Sequence, residues 1–286
     1  MPTLRDRSRR VTFRRLLAAT TGLTFTLVVI GVWTAIGGYG LTCEARWPFC
    51  DGAVFGLFPA HWGSFVEWFH RLVAMITGFA ILGSALAAWR ATASTRIRLA
   101  ATLALVLTPI QVWLGALTVT RYELLVLASH FGTALVILAL LIAATVWAYE
   151  GRGTLPAPPR LSAFAAVVLP AVLLLSPGLL IAHSTALHVA YYAVGLAAFV
   201  ALFSATLRAR ELGATLISLA LLTGATVAVA TALIVGRVDV ALIVGPAAAE
   251  VLSLGTIVTG LALSAFAAWL TRNEPSAPAA TASPGR

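Results

Sequence analysis

The sequence predicts an all-α, polytopic membrane protein, with eight transmembrane helices arranged as two pseudo-symmetric four-helix bundles. The first observation is composition, since 60% of the 286 residues are hydrophobic and only 10% are charged, as is typical of integral membrane proteins. The second is an internal spacing of ionisable residues on apolar runs. Sixty positions separate His70 from His130, and sixty-two separate His188 from Glu250. Such a repeat indicates an internally duplicated bundle.

The individual spans follow from the length of each apolar run. A membrane-spanning helix needs roughly 20 apolar residues. The first run follows a basic stretch, but it is too long for a secretory signal and no clear small-residue cleavage site follows it, so we expect a retained signal anchor. The eight predicted spans lie near residues 14–36, 66–89, 99–119, 125–149, 162–182, 186–207, 213–235 and 241–270.

A single change of composition divides the chain. The segment from Gly151 to Arg160 is rich in Gly and Pro, which cannot continue a helix. It predicts an N-terminal half, residues 1–150, and a C-terminal half, residues 161–272. Residues 273–286 are rich in Pro, Ala and Ser, and we expect a disordered cytoplasmic tail.

The arginines predict the orientation in the cell membrane. If the chain crosses eight times, only Arg46, Arg71, Arg121 and Arg237 lie on one side, and the other fifteen lie on the opposite side. The positive-inside rule then makes both termini cytoplasmic. The net charge of +9 is thus interpreted as a topology signal that also attracts anionic lipid headgroups. Nucleic-acid binding is not expected, because the arginines are spread over separate segments.

Three histidines are predicted to share one layer of the membrane. His70, His130 and His188 lie on the second, fourth and sixth spans, which all enter from the outer side. Two facing histidines in a helix bundle can form the axial pair of a haem iron. Arg71, next to His70, is a candidate cation for a haem propionate. The alternative is that each histidine bonds a backbone carbonyl or a water and only packs helices together.

Glu67 is the candidate catalytic residue. It lies three positions before His70, so both side chains share one helix face. A desolvated carboxylate can exchange protons and act as a general base. The alternative is a rim residue that pairs with Arg71 or bonds His70 as a supporting partner.

Cys43 and Cys50, the two cysteines of the chain, lie in one outer loop. They are expected to form either a structural disulfide, which persists on the oxidising outer face, or a redox-active pair that opens and closes. A zinc site is not expected, because only His61 is a further candidate ligand nearby.

The rest of this loop, residues 54–64, is apolar and is predicted to roof the first-half site at the membrane interface, where tryptophan is favoured. We expect His61 and His183, in outer loops, to be non-ligands. The tryptophans near this roof are Trp47, Trp62 and Trp68.

These residues together resemble the heme A synthase family of cytochrome oxidase assembly. The resemblance in topology covers the entire chain, whereas the motifs cover the first half well and the second half thinly. His130 within Ser-His-Phe-Gly and His188 correspond to the family's fourth-helix and sixth-helix histidines. The matching segments are Cys43-Glu-Ala-Arg-Trp-Pro-Phe-Cys-Asp-Gly52, Glu67-Trp-Phe-His-Arg71 and Gln111-Val-Trp-Leu-Gly-Ala-Leu-Thr-Val119.

The resemblance implies a reaction and its cofactors. The C8 methyl group of heme O would be oxidised to the formyl group of heme A by successive hydroxylations with oxygen from water. The first-half histidines would bind the converted haem, and the second half would hold a resident haem b. Glu67 would act on substrate or water, and the cysteine pair would assist haem acquisition or electron handling.

The eighth predicted span departs from the family, which carries a histidine there. This span has none, and Glu250 falls where the spacing predicts it. Glu250 could be a weak sixth ligand, could bond a ligand water, or could mark a lost haem site. Loss, or five-coordination by His188 alone, is favoured because carboxylate is a poor ligand for low-spin haem iron.

Two rival functions explain part of the pattern. A b-type cytochrome for electron transfer accounts for the histidines but gives Glu67 and the cysteines no role, and a haem carrier needs only the first-half site. A channel is disfavoured by the few intramembrane charges. Expected partners are heme O and the lipid bilayer; heme O synthase, cytochrome oxidase subunits and a second copy of the chain are candidates.

Overall fold

The computed structural model describes residues 4–44, 46–47, 50, 59, 61–91, 93–121, 123–176 and 184–273. In this part of the chain the secondary structure is entirely helical. The nine helices are α1 Leu4–Ile36, α2 Trp62–Arg90, α3 Thr95–Thr120, α4 Leu124–Ala148, α5 Pro158–Leu174, α6 Thr185–Glu211, α7 Leu216–Val235, α8 Val238–Val244 and α9 Pro246–Asn273.

The predicted all-α membrane class is confirmed. Seven of these helices are long and apolar enough to cross a membrane, so the chain is a multi-pass membrane protein. The fifth predicted span coincides only in part with α5, which has 17 residues and is shorter than the roughly 20 that a span needs. Residues 177–182 of that span lie outside the described residues, so the count of eight stays a prediction.

The eighth predicted span, residues 241–270, is wrong at its beginning. A break at Gly245, where φ is 96°, separates α8 from α9, which starts at Pro246. Proline has no N–H to donate and disfavours a helical conformation in the residue before it. Glycine adopts the required positive φ without steric cost. The chain therefore reaches α9 through a short separate helix.

The chain is not helical between α4 and α5, and α5 begins within the predicted linker of residues 151–160. The division into two halves at this linker stays a prediction. Helix α4 ends at Ala148 and α5 begins at Pro158, with positive φ at Gly151 and Gly153 between them. Two prolines stand at the first turn of α5, where a missing N–H costs nothing. At the other end α9 includes Asn273, and the predicted tail beyond it lies outside the described residues.

The helices pack as two rings with the same pairing. In the first ring α1 and α3 each contact α2 and α4, and in the second α5 and α7 each contact α6 and α9. Between the rings, α6 contacts α1 and α4, and the short α8 packs on α4. The buried core continues across this junction, from Val32 of α1 and Phe131 of α4 to Tyr192 of α6.

Candidate functional site

The three predicted haem-binding histidines lie near the beginnings of their helices. His70 follows the start of α2 at Trp62 by eight residues, and His130 follows the start of α4 at Leu124 by six. His188 follows the start of α6 by three. With a rise of ~1.5 Å per residue, all three lie within the first turns of helices that enter from one side. The structure thus brings them to one end of the bundle.

His70 packs against a glycine of the neighbouring helix. A Cβ built at Gly31 of α1 would lie 2.9 Å from Cε1 of His70, closer than real Cβ atoms come. The buried Nδ1 of His70 has no hydrogen-bond partner, and no described residue bonds its Nε2. The imidazole is therefore held by shape, and neither nitrogen is bonded to a carbonyl of a described residue.

His130 repeats this arrangement on the other side of the first ring. A Cβ at Gly115 of α3 would lie 3.1 Å from Cε1 of His130, and the buried Nδ1 again has no partner. The amide nitrogen of Gln111 lies 3.4 Å from Nε2, which is long for a hydrogen bond. The two histidines are close enough to interact electrostatically. Each imidazole thus sits on a glycine of the preceding helix.

Glu67 is bonded on three sides. Its side chain is 3% exposed, and Oε1 accepts a hydrogen bond from Arg71 at 2.5 Å. Oε2 accepts from the backbone N–H of Cys43 at 2.8 Å and from the Thr42 hydroxyl at 3.1 Å. The structure therefore contains the pairing with Arg71 that was the alternative to catalysis. The same carboxylate ties the cysteine loop to α2.

Cys43 and Cys50 form a disulfide bond, with their Cα atoms 4.7 Å apart. Both sulfur atoms lie near the carbonyl oxygen of Ser64, at 3.9 and 3.7 Å. The Ser64 hydroxyl donates to the carbonyl of Thr42 at 2.9 Å. The loop is thereby fastened to the first turn of α2 at several points, just above His70.

Arg71 is committed to this loop. Besides Glu67, it bonds the carbonyl oxygen of Arg46 at 2.9 Å. To bind a haem propionate as predicted, Arg71 would have to do so in addition to making these two contacts.

Arg237, which sequence reasoning assigned only to an outer loop, lies between the two rings. Its guanidinium is 4.7 Å from the centre of the Phe131 ring of α4 and close enough to His130 to interact electrostatically. Its Nε is 2.9 Å from Oδ1 of Asp239, and the two side chains are only 11% and 7% exposed. A residue of the second half thus reaches the site of the first.

His188 lies in a different environment. It is buried and stacks on Tyr192, with ring centres 5.8 Å apart and 25° between the planes. Tyr191 and Tyr192 are almost fully buried beside it. Opposite, α9 presents Ser253, whose hydroxyl lies 3.3 Å from that of Tyr191. Aromatic rings and hydroxyls therefore surround the described side of His188.

Glu250 does not lie on the buried side of α9. The favoured interpretation, a lost haem site or five-coordination by His188 alone, stays a prediction. Glu250 is exposed, one position beyond the buried stripe of α9 that runs through Ala249, Ser253 and Ile257. Depth along the chain was predicted, but not the direction of the side chain. The described residues of the second half do not fit a haem b held by two protein ligands.

The remaining predictions concern the outer loops. His61 is exposed, and His183 lies outside the described residues. Of the predicted apolar roof, residues 54–64, residues 54–58 and 60 also lie outside them. Trp62 of α2 is exposed and packs against Trp33 of α1, with ring centres 6.1 Å apart.

The first-half residues fit a haem. Two imidazoles with uncommitted Nδ1 atoms lie on facing helices, and neutral imidazole is a common axial ligand of haem iron. Around them the described structure supplies two arginines, Arg71 and Arg237, each paired with a buried carboxylate, Glu67 and Asp239 respectively. A cavity at the opposite end of this ring is lined by none of these residues.

Comparison with known protein families assigns this chain to one of them. Residues 14–193 match the family described as "Cytochrome oxidase assembly protein" (COX15-CtaA). The chain belongs to this family. The matched range begins in α1 and ends in α6, so it contains every first-half site residue and His188.

Curated relatives of two kinds are similar to this chain. A "Protoheme IX farnesyltransferase" of Halobacterium salinarum is 36% identical over 153 residues, which are 53% of this chain and 33% of that protein. A "Heme A synthase" of Bacillus licheniformis is 29% identical over 136 residues, 47% of this chain and 44% of that protein. Another, of Alkalihalophilus pseudofirmus, is 36% identical over 124 residues, 42% and 41% of the two chains.

The matched part spans well under half the length of these relatives, and about a third of the first. Membership in the cytochrome oxidase assembly protein family thus rests on the family match, which covers most of the chain.

Proposed function

We propose that the protein is a heme A synthase, which oxidises the C8 methyl group of heme O to a formyl group in the first-half site. The observation that carries the proposal is the matched seating of His70 on Gly31 and of His130 on Gly115. Two relatives bearing the name heme A synthase support the same reaction.

His70 and His130 would hold the substrate iron from opposite faces of the macrocycle. Their glycine seats fix both ring positions, because any larger residue would force the imidazole to move. Fixed ligands orient the macrocycle and so determine which methyl group approaches Glu67. Orientation of this kind is a main source of rate enhancement in enzymes.

Glu67 would serve as the acid–base residue of the hydroxylations. Converting the methyl group to a formyl group with oxygen from water releases four protons and four electrons, and an external electron acceptor would take up the electrons. Among the described acidic residues at this end of the first ring, it is the one that is buried. Its three hydrogen bonds fix the carboxylate in place. A positioned general base contributes typically 10²–10⁴-fold to a rate.

The disulfide loop would act through Glu67. The Cys43 N–H bonds the same carboxylate oxygen as Thr42, so opening the Cys43–Cys50 bond would loosen a donor to the catalytic group. This gives the cysteine pair a role in haem acquisition or redox control.

The wider organisation is also part of the proposal. Eight spans, two pseudo-symmetric halves and cytoplasmic termini in the cell membrane are supported by the equivalent pairing of helices in the two rings and by the arginine distribution. Heme O synthase is the proposed partner, because relatives named for farnesyl transfer to protoheme IX share this region. Cytochrome oxidase subunits and a second copy of the chain remain candidate partners.

Haem content of purified variants tests the ligand assignment. His70→Ala and His130→Ala should each lose the converted haem. His61→Ala is the matched control, since His61 lies in the outer loop and is exposed. Full haem content and full activity in the two ligand variants would contradict the proposal.

A further inference from the structure

We propose that Arg237, from the second half, binds a propionate carboxylate of the haem held by His70 and His130. This inference rests on the proposed function and adds a specificity residue to it. It makes the first-half site dependent on the segment between α7 and α8.

Arg237 lies against α4, the helix that carries His130. Its guanidinium lies against Phe131, at 4.7 Å from the ring centre, and Phe131 follows His130 directly in α4. Helix α8, which begins one residue after Arg237, packs on α4. Contacts between the two halves therefore hold the charge at the level of His130 along α4.

Arg237 uses only part of its hydrogen-bonding capacity within the described residues. Nε approaches Asp239, whereas the two terminal amino groups form no hydrogen bond with any described residue. A guanidinium with free terminal amino groups can bind a carboxylate by two parallel hydrogen bonds. Asp239 would orient the group for this purpose.

Arg71 is the other candidate cation for the propionate. That arginine lies next to His70, yet it already bonds Glu67 and the carbonyl of Arg46. Among contacts with the described residues, Arg237 leaves more of its donors unused than Arg71 does, so it is the better candidate for a new carboxylate.

Burying the ion pair of Arg237 and Asp239 costs free energy. Removing both charges of Arg237 and Asp239 from water is expensive, and a well-packed apolar pair would often be as stable. Tyr192, which edges onto Phe131, also has a buried hydroxyl without a hydrogen-bond partner. Polar groups retained at such a cost favour a binding role over a packing role.

The affinities of the purified protein for protohaem and for its dimethyl ester test whether Arg237 binds a propionate. Both carry the same iron and ring, but the ester lacks the two propionate charges. Absorbance titration of the wild type should give an affinity for protohaem about 10- to 100-fold higher than for the ester, as expected for hydrogen bonds to a charged group.

Variants assign that difference to Arg237. Arg237→Gln should reduce the affinity for protohaem by about tenfold or more and leave the affinity for the ester unchanged. Arg237→Gln combined with Asp239→Asn keeps the pair neutral, in case the single variant fails to fold. Arg121→Gln, an exposed arginine at the end of α3, is the matched control and should bind both probes like the wild type.

Two results would overturn the inference alone. One is equal affinity of the wild type for both probes, with binding still lost in His70→Ala. The other is an equal loss of both probes in the Arg237 variants, which would indicate a structural role. If the wild type binds neither probe, or binds both without needing His70 and His130, the proposed function fails and this inference fails with it.

Discussion

A Cβ at Gly31 would lie 2.9 Å from Cε1 of His70, so the imidazole occupies the space that any other residue would fill. The same relationship joins Gly115 to His130 at 3.1 Å. Two helix pairs of one ring therefore use one device to seat a histidine. The glycines are as much a part of the candidate site as the histidines.

Substitution of these glycines should disturb the haem site. Gly31→Ala should displace His70 and lower haem content several-fold, and Gly115→Ala should have a smaller effect because its contact is looser. Gly22→Ala in the same helix as Gly31 is the control, because nothing lies within 4 Å of its Cβ. That change should raise stability by up to ~1 kcal/mol. Equal haem content in all three variants would show that the seats do not matter.

Glu67 variants should separate catalysis from anchoring. Glu67→Gln keeps an acceptor for Cys43 and Thr42 but cannot act as a base, so conversion of heme O should fall by roughly 10²-fold or more while haem remains bound. Glu67→Ala should show the same loss of conversion together with a loosened loop. If Glu67→Gln produced heme A at the wild-type rate, Glu67 would be an anchor of the cysteine loop alone.

Loss of the disulfide should weaken the outer loop. For a bond that closes eight residues, chain entropy predicts a stabilisation of roughly 2.5 kcal/mol. The variant with Cys43→Ser and Cys50→Ser should therefore unfold at a lower temperature and be cleaved faster by trypsin after Arg46. Reduction of the wild type with dithiothreitol should reproduce this, and the double variant should not respond to the reagent. Unchanged cleavage in both cases would contradict the predicted anchoring.

The buried pair of Arg237 and Asp239 should be coupled. Asp239→Ala leaves an uncompensated buried charge, which costs about 3–5 kcal/mol. Arg237→Met combined with Asp239→Leu should recover most of that stability, because apolar residues of similar volume can replace a buried ion pair. Thermal unfolding in detergent of the single and double variants gives the coupling energy. Additive effects would mean that the two charges act independently.

Much of the fold could be predicted from residue patterns that are local. Long apolar runs predict membrane helices because a bilayer requires them. The Gly and Pro content of residues 151–160 marked the break that the structure has between Ala148 and Pro158. The consecutive Gly245 and Pro246 were an equally local signal, and they could have corrected the predicted start of the eighth span.

The candidate site was predictable where its residues are close in sequence. Glu67, His70 and Arg71 share one helix end, and their proximity follows from helix geometry. The contact between Arg237 and Phe131 joins residues from different halves, and no local pattern indicates it. The exposure of Glu250 was not predictable from spacing either, because depth along a helix does not determine which face of it is buried.

The central claim is that the first-half site converts heme O to heme A, and the identity of the extracted haem tests it most directly. The chain is expressed in a host that produces heme O, purified, and its haems are separated by chromatography and identified by mass, with His70→Ala in parallel. We expect heme A or its hydroxylated intermediate from the wild type and neither from the variant. Haem b alone from the wild type, in a host shown to supply heme O, would contradict the account and indicate an electron-transfer cytochrome.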